Sequence, residues 1–159
     1  MPPTKVTAFV AFFIYLLFLL WILFFQVGAT DRGAHFNERK IHLFPLQNTY
    51  KNVRKIIAND FGAEDPSGFT LLTAINIFGN IILFIPLGFL LPLIKKRTDT
   101  KKILFISASI SCMAELIQYC LMIGVFDIDD IILNIGGGVC GIALQKIFFK
   151  SHAEVGHRR

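Results

Sequence analysis

What most constrains this chain is a set of four long apolar runs separated by charged segments. The first, Val6 to Val27, carries no charged residue over 22 positions. At about 1.5 Å of rise per residue, a helix of that length crosses a hydrocarbon core of about 30 Å. The other runs cover residues 69–94, 103–123 and 131–149. Composition points the same way: 54% of the 159 residues are hydrophobic, and the mean hydropathy is +0.61. A soluble domain of this size could not hide that much apolar surface, so lipid is the expected solvent. The first run is too long for a cleaved leader, whose apolar region usually spans about 7–15 residues, and is read as a retained anchor.

Charge placement sets the expected orientation. The chain has 16 Lys and Arg against 11 Asp and Glu, a formal net charge of +5, and the cations lie almost entirely between the runs. That pattern argues for membrane orientation and against nucleic-acid binding. Lys95, Lys96, Arg97, Lys101 and Lys102 crowd the short segment between the second and third runs. Short cation-rich loops stay in the cytoplasm, which also places both termini inside and the segments 28–67 and 124–130 outside. The expectation is an all-α membrane protein of the bacterial cytoplasmic membrane: a small bundle of four transmembrane helices, with one domain over residues 1–150 and a basic cytoplasmic tail at 151–159.

Within the long outer loop, Tyr50, Val53, Ile57 and Phe61 recur at helical spacing, with Lys51, Arg54 and Lys55 on other faces. This predicts an extracytoplasmic loop carrying an interfacial helix, with a solvated connector as the alternative. Just before it, Pro45 in LFPLQN predicts a turn back toward the membrane. In the second run, Pro86 and Pro92 forbid a regular helix throughout, and a kink near Pro86 is expected. Cys112, Cys120 and Cys140 lie inside apolar runs without metal or redox spacing and are read as small packing residues.

Polar residues inside the runs form three stripes. Ser107, Ser111, Glu115 and Gln118 share one face of the third run; Thr73, Asn76 and Asn80 share one face of the second. Asp127, Asp130, Asn134, Gly138, Gly141 and Gln145 form the third. Amides and hydroxyls in membrane helices often act as packing contacts between helices, contributing about 0.6–2 kcal/mol each. Glu115 is different, because an intramembrane carboxylate costs roughly 2.5–3.5 kcal/mol at a helix centre and requires a partner or a function. Gly137 and Gly141 are spaced for close helix approach, a better reading of GGGVCG than a nucleotide loop.

The acidic stretch FDIDDIILN opens the fourth run. Asp127 is placed as the N-cap of its helix, with Asp130 at the third helical position. Capping explains one or two aspartates and leaves a third over. Asp127, Asp129 and Asp130 therefore remain candidate oxygen ligands for a divalent metal, the only cofactor the residues suggest. Glu115, Asp127 and Asp130 are the candidate catalytic groups, as general acid or base. No nucleophilic Ser or Cys has a plausible His partner.

Three motifs taken together resemble the VanZ-like family of bacterial membrane proteins: GNIILFIPLGFLLPLI (Gly79 to Ile94), AELIQ (Ala114 to Gln118) and FDIDDIILNIGGGVCG (Phe126 to Gly141). RKIHLFPL (Arg39 to Leu46) is similar to that family's Arg-led, proline-containing outer-loop motif. The chain departs from the pattern at His42, where Asn is expected. It departs again at Gly124 and Val125, where many members carry Arg. The resemblance implies a multi-span envelope protein, with a namesake linked to resistance to the glycopeptide teicoplanin.

The resulting expectation is a polar cleft at the outer leaflet, with Arg39, Asn80, Gln118 and Asn134 binding a lipid-linked or cell-wall ligand beside the carboxylates. Membrane lipids, a lipid-linked cell-wall precursor and a second copy of the chain are the partners this reading admits. Two alternatives stand beside it: a non-catalytic structural or interaction protein, and a small transporter.

Overall fold

The computed structural model describes residues 5–22, 41–61, 65–94, 99–121 and 125–156. Its helices are α1 (Lys5–Trp21), α2 (Gln47–Ala58), α3 (Pro66–Ile94), α4 (Thr100–Cys120) and α5 (Ile128–Gly156). Three of them are long and apolar enough to cross a membrane: α3, α4 and the Ile128–Phe149 part of α5. The helix α1 is apolar and shorter; the remainder of its expected run, to Val27, lies outside the described residues. The cation-rich segment also lies largely outside them, as does Arg39.

Each long helix starts three residues before its apolar run, because a polar cap sits there. Asp65 accepts the Gly68 N–H at 2.6 Å ahead of Pro66, a residue suited to the first helical position. Asp99 accepts the Lys101 N–H at 3.3 Å at the start of α4. Asp127 accepts the Asp129 N–H at 2.9 Å at the start of α5, as its N-cap placement predicted.

Pro86 and Pro92 do not interrupt α3, which runs unbroken from Pro66 to Ile94. A proline deprives a helix of one donor, and in a membrane neighbouring helices supply substitutes. Beside this turn, the Tyr15 hydroxyl of α1 donates to the Leu83 carbonyl at 2.9 Å, tying α1 to α3. Tyr15 and Leu19 pack with Phe84, Leu87 and Ala114 into the buried apolar core.

The helices α3 and α5 meet along glycines. A Cβ at Gly137 would collide with the Ile81 carbonyl, and one at Gly141 with the Ile85 carbonyl. The expected small-residue seam is therefore a direct backbone-to-backbone contact. Cys112, Cys120 and Cys140 are all exposed on the bundle surface, contrary to their reading as packing residues. Their apolar surroundings on that surface suit a thiol as well as a core does.

A two-residue parallel pair departs from the all-helical expectation. Ile41–His42 (β1) aligns with Phe126–Asp127 (β2), Ile41 opposite Phe126 and His42 opposite Asp127. This pair joins the outer loop to the acidic stretch, and it positions the site.

Candidate functional site

The site is assembled at the end of the bundle where α3 and α5 begin and α4 finishes. From α4, the predicted stripe is confirmed as an inward face: Ser107, Ser111, Glu115 and Gln118 are all buried. From α5 come Asp129, Asp130 and Asn134, and from α3 come Asn76 and Asn80. Asn134 Nδ2 donates to Ser111 Oγ at 2.7 Å, tying α5 to α4 one turn below the carboxylates. Thr73 is buried, whereas Asn76 is exposed.

The carboxylates have different tasks. Glu115 Oε2 accepts the backbone N–H of Asp127 at 3.0 Å. In a capping box, the third helical residue takes that N–H. Here Asp130 holds that position but turns to α3, accepting from Asn80 Nδ2 at 2.7 Å and bonding Asn76 as well. Glu115, on a different helix, completes the cap in its place. Asn80 also donates to Asn76 at 3.3 Å, so the α3 amides act as a linked pair.

Asp129, the aspartate that capping left over, is the most buried of the three, with 2% of its surface exposed. Its two oxygens accept the backbone N–H groups of Leu46 and Thr49, the latter at 2.9 Å. Thr49 is the third residue of α2, so Asp129 satisfies a helix-start donor that a local N-cap side chain would normally serve. Leu46 occupies the N-cap position and has no side-chain oxygen to offer. It sits instead in the left-handed region, with φ of 60°. A non-glycine residue held there costs on the order of 1–3 kcal/mol and persists only where surrounding contacts impose it.

Asp127 faces the loop. Its Oδ2 accepts from Asn48 Nδ2 at 2.8 Å and lies 3.3 Å from His42 Nδ1. Asn48 Nδ2 is also 2.6 Å from that ring nitrogen, closing a triangle of three side chains.

The structure thus brings together Glu115, Asp127, Asp129, Asp130, Asn80 and Asn134, with Gln118 buried on the same α4 face. Sequence reasoning missed Asn48, Leu46 and Thr49. A signal existed: a helix opening on Leu46 lacks a cap of its own and requires an acceptor from elsewhere. Among the described residues, no group of three or more His, Cys, Asp or Glu side chains converges as a metal-ligand set. The three aspartates point to the loop, to α2 and to α3 respectively, which disperses the expected oxygen cluster.

Among the described residues, two buried polar side-chain atoms have no protein partner: Ser107 Oγ and Asn134 Oδ1. Both belong to the stripes that meet beneath Glu115.

A family model described as VanZ/LLP1 matches residues 12–149. Neither a curated protein nor a solved structure matches the chain.

Proposed function

The chain belongs to the VanZ/LLP1 family, and from that premise we propose that Glu115 and Asp130 bind or modify a lipid-linked or cell-wall ligand at the outer leaflet of the bacterial cytoplasmic membrane. The protein is a VanZ-like membrane protein, with three membrane-length helices among the described residues. The positive charge of the segment between α3 and α4 supports cytoplasmic termini and an outward-facing site.

The observation that carries the ligand reading is the division of labour among the carboxylates. Asp127 and Asp129 are spent on holding the outer loop and the start of α2. Glu115 and Asp130 arrive from different helices, Glu115 holding the Asp127 N–H and Asp130 the amide of Asn80 from a third helix. Two carboxyl groups gathered in a low-dielectric site favour a ligand that brings hydrogen-bond donors or positive charge. Were chemistry to occur, these two carboxylates would serve as its general acid and base.

The test is a comparison of Glu115→Gln and Asp130→Asn for membrane abundance and for teicoplanin susceptibility. The ligand reading expects normal abundance with loss of the phenotype. Unchanged susceptibility on deletion of the whole protein would sever the glycopeptide link.

A second reading, a structural or interaction protein, is favoured by one specific observation. Glu115, Asp127 and Asp129 each accept a backbone N–H across or within the site. That reading expects abundance and phenotype to fall together.

A further inference from the structure

The helix α2 has an apolar face that the bundle does not cover. Leu46, Tyr50, Val53 and Ile57 follow one another at spacings of 4, 3 and 4, and all are exposed. Ile57 is 81% exposed and Tyr50 65%. Leu43 and Phe44, in the turn before the helix, extend the same apolar character, Phe44 being 73% exposed. Isolated exposed apolar residues are ordinary, whereas a contiguous row of six marks a docking surface.

Two further observations select its occupant. The sequence of α2, QNTYKNVRKIIA, contains three cations and no acid, and Lys51 and Arg54 are exposed beside the apolar row. A neutral hydrophobic partner would not need them; an anionic surface would match them. The second observation is depth. The start of α2 is bonded to Asp129, the second residue of α5, whose membrane-length segment begins at Ile128. Its far end is held at the start of α3, where the Lys55 ammonium lies 5.1 Å from the Phe69 ring centroid. Phe61, just past the helix, meets the same ring edge-on at 5.9 Å. Both ends of α2 are therefore fixed to the first turns of membrane-length helices, at the level where hydrocarbon gives way to headgroups.

We propose that α2, with Leu43 and Phe44, docks onto anionic phospholipid at the membrane surface. The apolar row enters the acyl boundary while Lys51 and Arg54 meet lipid phosphates. Because the helix start is seated on Asp129, this contact fixes the roof of the acidic site relative to the bilayer. The proposal is independent of what that site binds.

The test uses the full chain reconstituted in vesicles. Trp21→Phe removes the natural indole, and Ile57→Trp places a new one on the exposed face. In vesicles containing brominated phosphatidylglycerol, the expected result is a blue-shifted emission quenched about twofold more strongly than by brominated phosphatidylcholine at equal mole fraction, a preference lost in 0.5–1 M salt, on the order of a 3–4 Å screening length. Adding Lys51→Gln and Arg54→Gln should abolish the preference while leaving quenching by phosphatidylcholine. Red-shifted emission, open to iodide and untouched by either lipid, would overturn the proposal in favour of a solvated helix. Equal quenching by the two lipids with both cations present would overturn its anionic part. An indole shielded from lipid and iodide alike, with copies cross-linking through position 57, would assign the face to a second copy of the chain.

Discussion

Asp129 Oδ2 accepts the backbone N–H of Thr49 at 2.9 Å, so a carboxylate in the first turn of one membrane helix caps another helix 80 residues away in sequence. The bond makes the outer loop part of the site. It also accounts for Leu46 in the left-handed region, since the Leu46 N–H is held by the same carboxylate. Local backbone strain at Leu46 and long-range capping by Asp129 are two sides of one arrangement.

Removing that carboxylate should release α2. Asp129→Ala leaves two buried-side donors without their acceptor, a cost of about 1–3 kcal/mol. Thermal unfolding in detergent should fall accordingly, and cleavage by trypsin at Lys51 and Arg54 should accelerate while the spanning helices stay resistant. Unchanged cleavage would mean that the cap does not hold the helix.

Glu115 separates two properties by substitution. Glu115→Gln keeps an oxygen able to accept the Asp127 N–H and should leave thermal stability within about 1 kcal/mol of wild type. Glu115→Ala loses that acceptor and should cost about 1–3 kcal/mol. Equal destabilisation by both would show that the charge, rather than the hydrogen bond, supports the fold.

The seam between α3 and α5 makes a steric prediction. Gly137→Ala and Gly141→Ala each force backbones apart and should destabilise by about 1–3 kcal/mol, the usual range for overpacking. Gly136→Ala is the control, because a Cβ there meets nothing within 4 Å. Melting temperatures of the three variants in one detergent decide the matter.

Ser107 tests the unpartnered polar atoms. Its Oγ is fully buried, with no protein partner among the described residues. Ser107→Ala removes an unsatisfied group and should be neutral or stabilising by up to about 1 kcal/mol. A loss greater than that in detergent melts would reveal a bound water or ligand group satisfying the hydroxyl.

Much of this molecule is legible along the chain. Run length and charge placement suffice for the membrane-length helices, because a helix satisfies its own backbone in lipid and little else can. The 4, 4 and 3 spacing of Ser107, Ser111, Glu115 and Gln118 marks the inward face of α4, and the GxxxG pair marks the seam. Asp127 as a cap was readable because its acceptor and donor lie two residues apart.

What tertiary structure alone decided is which carboxylate does what. Three aspartates within four residues look like one acidic cluster on paper. In the fold, Asp127 turns to Asn48 and His42, Asp129 to the start of α2, and Asp130 to Asn80, while Glu115 takes the N–H that a local cap would have used. A sequence determines local bonds because their geometry repeats with the helix period. Bonds such as Asp129 to Thr49 depend on how separate helices pack and where a loop crosses their ends, and no spacing along the chain encodes that.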